Sequence, residues 1–162
     1  MRKYNWSKLQ KQQVGAYVEY FVKMELTMFG FLVYSPEVDD HGIDFVARYE
    51  KDKFIEVQVK SLRLCSKGSY TFMQKKKFEL REHLYLALGL LSDGQLPELY
   101  LIPSTDFRKK NSLFANHDFE GLKSRPEWGL NISKKNMSLL KPYLFENIAN
   151  SILNGRPQPA IG

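Results

Sequence analysis

Asp44, followed by the run Glu56-Val57-Gln58-Val59-Lys60, is the stretch on which the reading of this chain turns. In an extended strand, alternate side chains share a face. Glu56, Gln58 and Lys60 would then line one face, with Ile55, Val57 and Val59 on the other. The second set is ordinary core. The first places an acid, an amide and an ammonium in a row, and charges are seldom put on a central strand without partners or a task. With Asp44 beside them, these groups could hold a divalent cation and a water next to a phosphate.

Working outward, residues 6–29 read as one helix. Ser7 is its expected N-cap, Gly30 its stop, and Val14, Tyr17, Val18, Phe21, Val22, Met24 and Met28 its apolar stripe. Glu19 lies beside that stripe. Residues 31–34 form a short β-prone run, and residues 35–42, with Pro36, Asp39, Asp40 and Gly42, read as a loop. Residues 43–49 and 54–60 are then two strands of a hairpin across a polar turn. Residues 70–73 suggest a short extended piece, and the charged stretch 75–82 a short helix. Two apolar runs, 85–91 and 99–102, flank the turn signal Asp93-Gly94 and read as a pair of strands covered on both faces. Ser104 or Thr105 caps a further helix. Residues 114–126 read as loop, 128–132 as an edge strand, and 139–153 as a terminal helix with Pro142 in its first turn. The fold class is α/β: a central mixed sheet of about five strands flanked by helices, in a single domain over residues 1–154, with a flexible tail at 155–162.

Composition narrows the function classes. Of 162 residues, 43% are hydrophobic and 26% charged, which suits a soluble globular protein. The formal net charge of +6 favours a polyanionic partner such as nucleic acid. One cysteine, Cys65, excludes an internal disulfide and a cysteine zinc cluster, and a reduced, cytoplasmic setting is expected. No apolar run is long enough to span a bilayer, and residues 1–11 have no apolar core of a secretory signal, so no membrane association is expected. The absence of G-x-G-x-x-G, P-loop and G-x-S-x-G patterns argues against dinucleotide, nucleoside-triphosphate and serine-hydrolase chemistry.

The order Gly15-x-x-x-Glu19, Gly30-Phe31, Gly42-Ile43-Asp44 and Gln58-Val59-Lys60-Ser61 resembles the PD-(D/E)XK nuclease superfamily, the restriction-endonuclease-like fold. It looks most like the branches with glutamine in the (D/E)xK element and like Holliday-junction resolvases. The resemblance covers residues 13–61. It implies catalytic roles for Asp44, Gln58, Lys60 and Glu19. It also implies Mg2+, replaceable by Mn2+, held by Asp44, Gln58 and the backbone carbonyl of Val59. Lys60 would orient or deprotonate the attacking water and stabilise the phosphate. Glu19 would reach the metal or set the charge state of Lys60. Gln58 departs from the commoner acid: its amide can coordinate but brings no charge, so Glu56 is a candidate further ligand. The implied activity is metal-dependent endonucleolytic hydrolysis of DNA.

A basic rim is expected from Arg63, Lys67, Lys75, Lys76, Lys77 and Arg81 as nucleic-acid contacts. Tyr70 and Phe72 are expected in the core rather than against bases, and His41 on a polar loop surface. A homodimer would suit cutting both strands, with the region after Phe145 as a candidate interface. Two alternatives stay open: a nucleic-acid-binding module on this fold with weak or lost catalysis, and a small interaction protein whose basic surface serves solubility. A solvent-facing strand would also show the Glu56–Lys60 alternation.

Overall fold

Residues 3–39 and 41–155 are described in this computed structural model, and the statements below concern those. Apart from Gly155, the expected tail lies outside them, as does Asp40. The main sheet has five strands in the order β1-β2-β3-β5-β6: β1 (Leu32–Tyr34), β2 (Phe45–Glu50), β3 (Lys53–Arg63), β5 (Leu84–Leu91) and β6 (Glu98–Pro103). It is mixed. β1, β2 and β3 form an antiparallel meander, β3 and β5 run parallel, and β5 and β6 form an antiparallel hairpin. The expected α/β class and five-stranded mixed sheet are therefore observed.

A helix, α1 (Lys11–Met28), covers one face. Val14, Val18, Val22 and Leu26 recur every four residues and are buried against Phe45, Ala47, Ile55, Val57 and Ala87. Each such side chain contributes about 1.5–3 kcal/mol of hydrophobic stabilisation. Gly89 permits the close approach, because a Cβ there would lie 2.5 Å from Val18 Cγ1. Met24 and Met28, expected in the stripe, are exposed: each sits two residues beyond a buried position and so points to the opposite side of the helix. The helix is also shorter than expected. Residues Trp6–Lys8 form a separate 3₁₀ turn, and the helix is capped by a reciprocal Gln10–Gln13 box. Ser7 does not cap it. The Trp6 indole donates to Gln95 O, and Ser7 N donates to Asp93 Oδ1, so docking onto the β5–β6 turn pulls this segment off the helix axis. Gly30 ends the helix region as expected, at φ +92°.

The opposite face carries a second layer absent from the sequence reading: a three-stranded antiparallel sheet, β4-β8-β7, of β4 (Ser69–Gln74), β7 (Phe114–His117) and β8 (Glu127–Ile132). Residues 114–117, expected as loop, are a strand, and β8 is the centre of its sheet, not an edge. Met73, Phe114, Leu130 and Ile132 close a second core over Leu84, Leu86, Leu88 and Leu90. Residues 75–82 contain only a 3₁₀ turn, Lys75–Lys77, and the Ser104 region is another, Ser104–Arg108. Ser104 is buried and holds the Arg81 backbone instead of capping: its Oγ accepts from Arg81 N and donates to Arg81 O. The terminal helix is broken into α2 (Met137–Leu140), a 3₁₀ turn with Pro142 near its start, and α3 (Phe145–Leu153). Phe145, Ile148 and Ala149 of α3 are buried in the chain's own first core.

Candidate active site

β3 separates the two cores, and its two faces differ accordingly. Ile55 and Val57 face α1 and are buried. Glu56, Gln58, Lys60 and Leu62 pair laterally with Leu84, Leu86, Leu88 and Leu90 of β5, on the side of the second sheet. The expected alternation is thus present, but the polar face looks into a groove between layers rather than into open solvent.

Asp44 was expected inside a strand. It lies instead just before β2, which begins at Phe45 opposite Val57. Its N–H donates to Val57 O at 2.9 Å, and its Oδ2 accepts from Val59 N at 2.6 Å. The carboxylate therefore takes the place of the next ladder residue. Backbone groups alternate in direction along a strand. Val57 O and Val59 N both point to the β2 side, so Val59 C=O also turns to that edge, where β2 has already ended. Gln58 is 9% exposed, and its Oε1 is buried with no hydrogen-bond partner among the described residues. Leaving such an acceptor unmet costs about 1–3 kcal/mol and calls for an explanation.

The charges around Asp44 are coupled. Its carboxyl is raised above the usual range, first by burial and also by Glu19; the Val59 N–H, Lys60 and Lys23 oppose this. The ammonium of Lys60 is lowered, first by burial and also by Lys11 and Lys77, while Asp44 opposes. Glu19 thus acts on Asp44, and its nearest cation is Lys23 at 2.7 Å rather than Lys60. Lys23 was missed in the sequence. Its only signal there is the i,i+4 spacing from Glu19, which every surface helix pair shares.

Gln58, Val59 and Lys60 open into a groove of about 570 Å³, flanked by Lys11, Lys77, Tyr70 and Phe72. Gly42, at φ +90°, lets the preceding loop pack on the groove wall: a Cβ there would meet Lys77 O at 2.9 Å. Tyr70 and Phe72 are 41% and 47% exposed, contrary to the expectation of core. They lie on the outer face of β4, while Met73 turns inward.

The remaining expected residues are dispersed. Glu56 is ion-paired with Arg81 at 2.6 Å, and both line a different cavity with Val46 and His83. Its charge is therefore engaged away from Asp44, and Arg81 is engaged away from the rim. The Arg63 guanidinium donates to Trp6 O and Leu9 O, clamping the N-terminal turn. Lys75 contacts Asn116 and Asp118 and lies 4.3 Å from the centre of the Trp128 ring. Lys67 and Lys76 are exposed, and of the expected basic rim Lys77 lines the groove. Among the described residues no cluster of three or more His, Cys, Asp or Glu could hold a metal, and no helix is long and apolar enough to cross a membrane.

No family model matches the chain, and no curated protein matches it in sequence. Its fold does match solved structures. One is a bacterial homing endonuclease, I-Ssp6803I, aligned over 90% of this chain and 93% of that chain with a TM-score of 0.58 and 16% sequence identity. At that identity the likeness is one of fold: this chain is built on the same architecture as a homing endonuclease.

Proposed function

We propose that this protein is a metal-dependent endonuclease, resolvase-like, that hydrolyses DNA phosphodiester bonds at Asp44, Gln58 and Lys60. The observation that carries the reading is the pairing of a partly buried carboxylate, pinned by Val59 N–H, with an unpartnered Gln58 Oε1 in a groove containing Lys60. Structural economy alone would place a leucine or a satisfied amide at position 58. The free Asp44 oxygen, Gln58 Oε1 and Val59 C=O are all oxygen donors, which suits Mg2+ or Mn2+ carrying several of its own waters. Such a cation supplies Lewis acidity and lowers the pKa of water when bound.

The chain's own groups do the rest. Lys60 Nζ, its basicity reduced by burial and by Lys11 and Lys77, is poised to orient the attacking water and accept its proton. Lys11 and Lys77 attract the phosphate to the groove and offset charge that develops on its oxygens. Glu19, paired with Lys23, balances the charge around Asp44. The fold shared with a homing endonuclease supports DNA as the substrate.

One observation favours a second reading, a DNA-binding module with weak catalysis: the lack of a third acid near Asp44 among the described residues. Plasmid and branched DNA incubated with the wild type and Lys60→Ala, with and without Mg2+, separates the two. The enzyme reading expects cleavage that needs both Mg2+ and Lys60. Salt-dependent DNA binding with no metal-dependent cleavage by pure wild type would leave only the binding module.

A further inference from the structure

We propose that Tyr70 and Phe72 form a stacking platform for unpaired bases beside the scissile phosphate. The preferred substrate would then be DNA with unpaired or extruded bases at the cleavage point rather than uniform duplex. This rests on the nuclease reading and adds the substrate's form to it.

The two residues are i and i+2 on β4, so they share a face. Their rings lie side by side, with centroids 6.3 Å apart and planes 21° from parallel. Both are substantially exposed, as only Tyr20, Tyr34 and Phe54 are among the other large aromatics of the described residues. Both line the groove that holds Gln58 and Lys60. β4 is an edge strand of its sheet, so no further strand pairs along its other edge.

The platform is preorganised. Tyr70 Oη donates to Glu127 on β8. Its ring lies over Gly129, where an added Cβ would fall 2.2–2.6 Å from ring atoms. His117 abuts it edge-on, with centroids 6.5 Å apart. A tyrosine tied at its hydroxyl and seated on a glycine has little freedom left to lose on binding. Flat aromatic surface next to lysines is what single-stranded nucleic acid uses: charge tracks the backbone, and stacking holds each base whatever its identity. Paired bases inside a duplex do not offer their faces, so the platform discriminates by base exposure.

The test is a metal-free binding measurement with EDTA. The probes are single-stranded and flap DNA oligonucleotides carrying 2-aminopurine at the junction, and a blunt duplex of the same sequence. Phe72→Leu and Tyr70→Leu should each weaken binding to the single-stranded and flap probes about tenfold. They should relieve 2-aminopurine quenching, leave duplex binding unchanged and leave the salt slope unchanged, since no charge is removed. Phe72→Trp keeps its ring and should bind as the wild type does, whereas Tyr70→Phe keeps the ring but loses the Glu127 tether and should fall between the wild type and Tyr70→Leu. Gly129→Ala should act like Tyr70→Leu by displacing the ring. Melting curves of each variant identify any that fail to fold, and the ring-preserving pair then supplies the contrast. Leu variants that bind and quench as the wild type does overturn the proposal, as does equal loss on duplex. Failure of the nuclease reading is seen separately, as wild type that binds and quenches the flap probe but cleaves nothing with Mg2+.

Discussion

Glu56 and Gln58 are neighbours on the same face of the same strand, and the fold treats them oppositely. Glu56 reaches Arg81 and lines a cavity that excludes Lys60. Gln58 is buried beside Asp44's strand end, and its oxygen is left unmet. The first is a satisfied surface ion pair of the kind usually worth about 0–1 kcal/mol. The second is a standing cost that structure alone does not explain. Unmet polar groups, rather than polar groups as such, separate candidate chemistry from scaffold on β3.

The largest break in this comparison should come from Lys60→Ala, which removes the group nearest the proposed proton transfer. DNA cleavage with Mg2+ should fall by about 10²–10⁴-fold in a single-turnover assay, while circular dichroism stays native. Cleavage within a few-fold of wild type would remove Lys60 from the chemistry. Next, Gln58→Glu should sharpen the contrast by restoring an acid. The Mg2+ concentration for half-maximal cleavage should fall by about tenfold, since ligand charge sets affinity for hard cations. Glu56→Gln should leave that concentration unchanged; a large rise would return Glu56 to the site.

Gln58→Leu reads the same difference through stability. Replacing a buried amide whose oxygen is unpartnered by an apolar group should raise urea stability by about 1 kcal/mol while cleavage is lost. Glu56→Gln should instead lower stability by no more than about 1 kcal/mol. A Gln58→Leu variant less stable than wild type would show that Oε1 has a partner in solution.

The smallest effect concerns pH. In the metal-free protein Lys60 has its pKa lowered on folding, chiefly by burial. The unfolded chain therefore binds the Lys60 proton more readily in the window between the lowered value and the ordinary value near 10.5. This cost is full below that window and vanishes as pH rises through it. Lys60→Met should be slightly more stable than wild type near neutral pH, and the gap should close in melts toward pH 10.5. A gap that widens with pH would contradict the sign.

Much of the frame was legible beforehand. The alternation from Ile55 to Lys60, the uniform apolarity of residues 85–91 and the Gly30 stop are local signals, and each corresponds to an observed element. The second sheet was not legible. β7 is four residues, Phe114–His117, and pairs with β8 across a loop, so its strand character comes from the partner rather than from its own pattern. Tyr70 and Phe72 were misplaced for the same reason: which face of β4 turns to the core depends on where β8 and the leucines of β5 lie.

By itself, then, the chain's residue order determined which groups share a face and which elements precede them, because the two-residue and 3.6-residue periods are local geometry. It placed Asp44 by the strand that precedes the one carrying Gln58 and Lys60, and put Glu19 on the helix before both. Only tertiary structure decided that Arg81 would take Glu56, that Trp6 and Leu9 would take Arg63, and that Lys11 would join Lys77 at the groove. Those partners lie far apart in sequence, and burial and charge pairing are properties of the packed layers, not of any one strand.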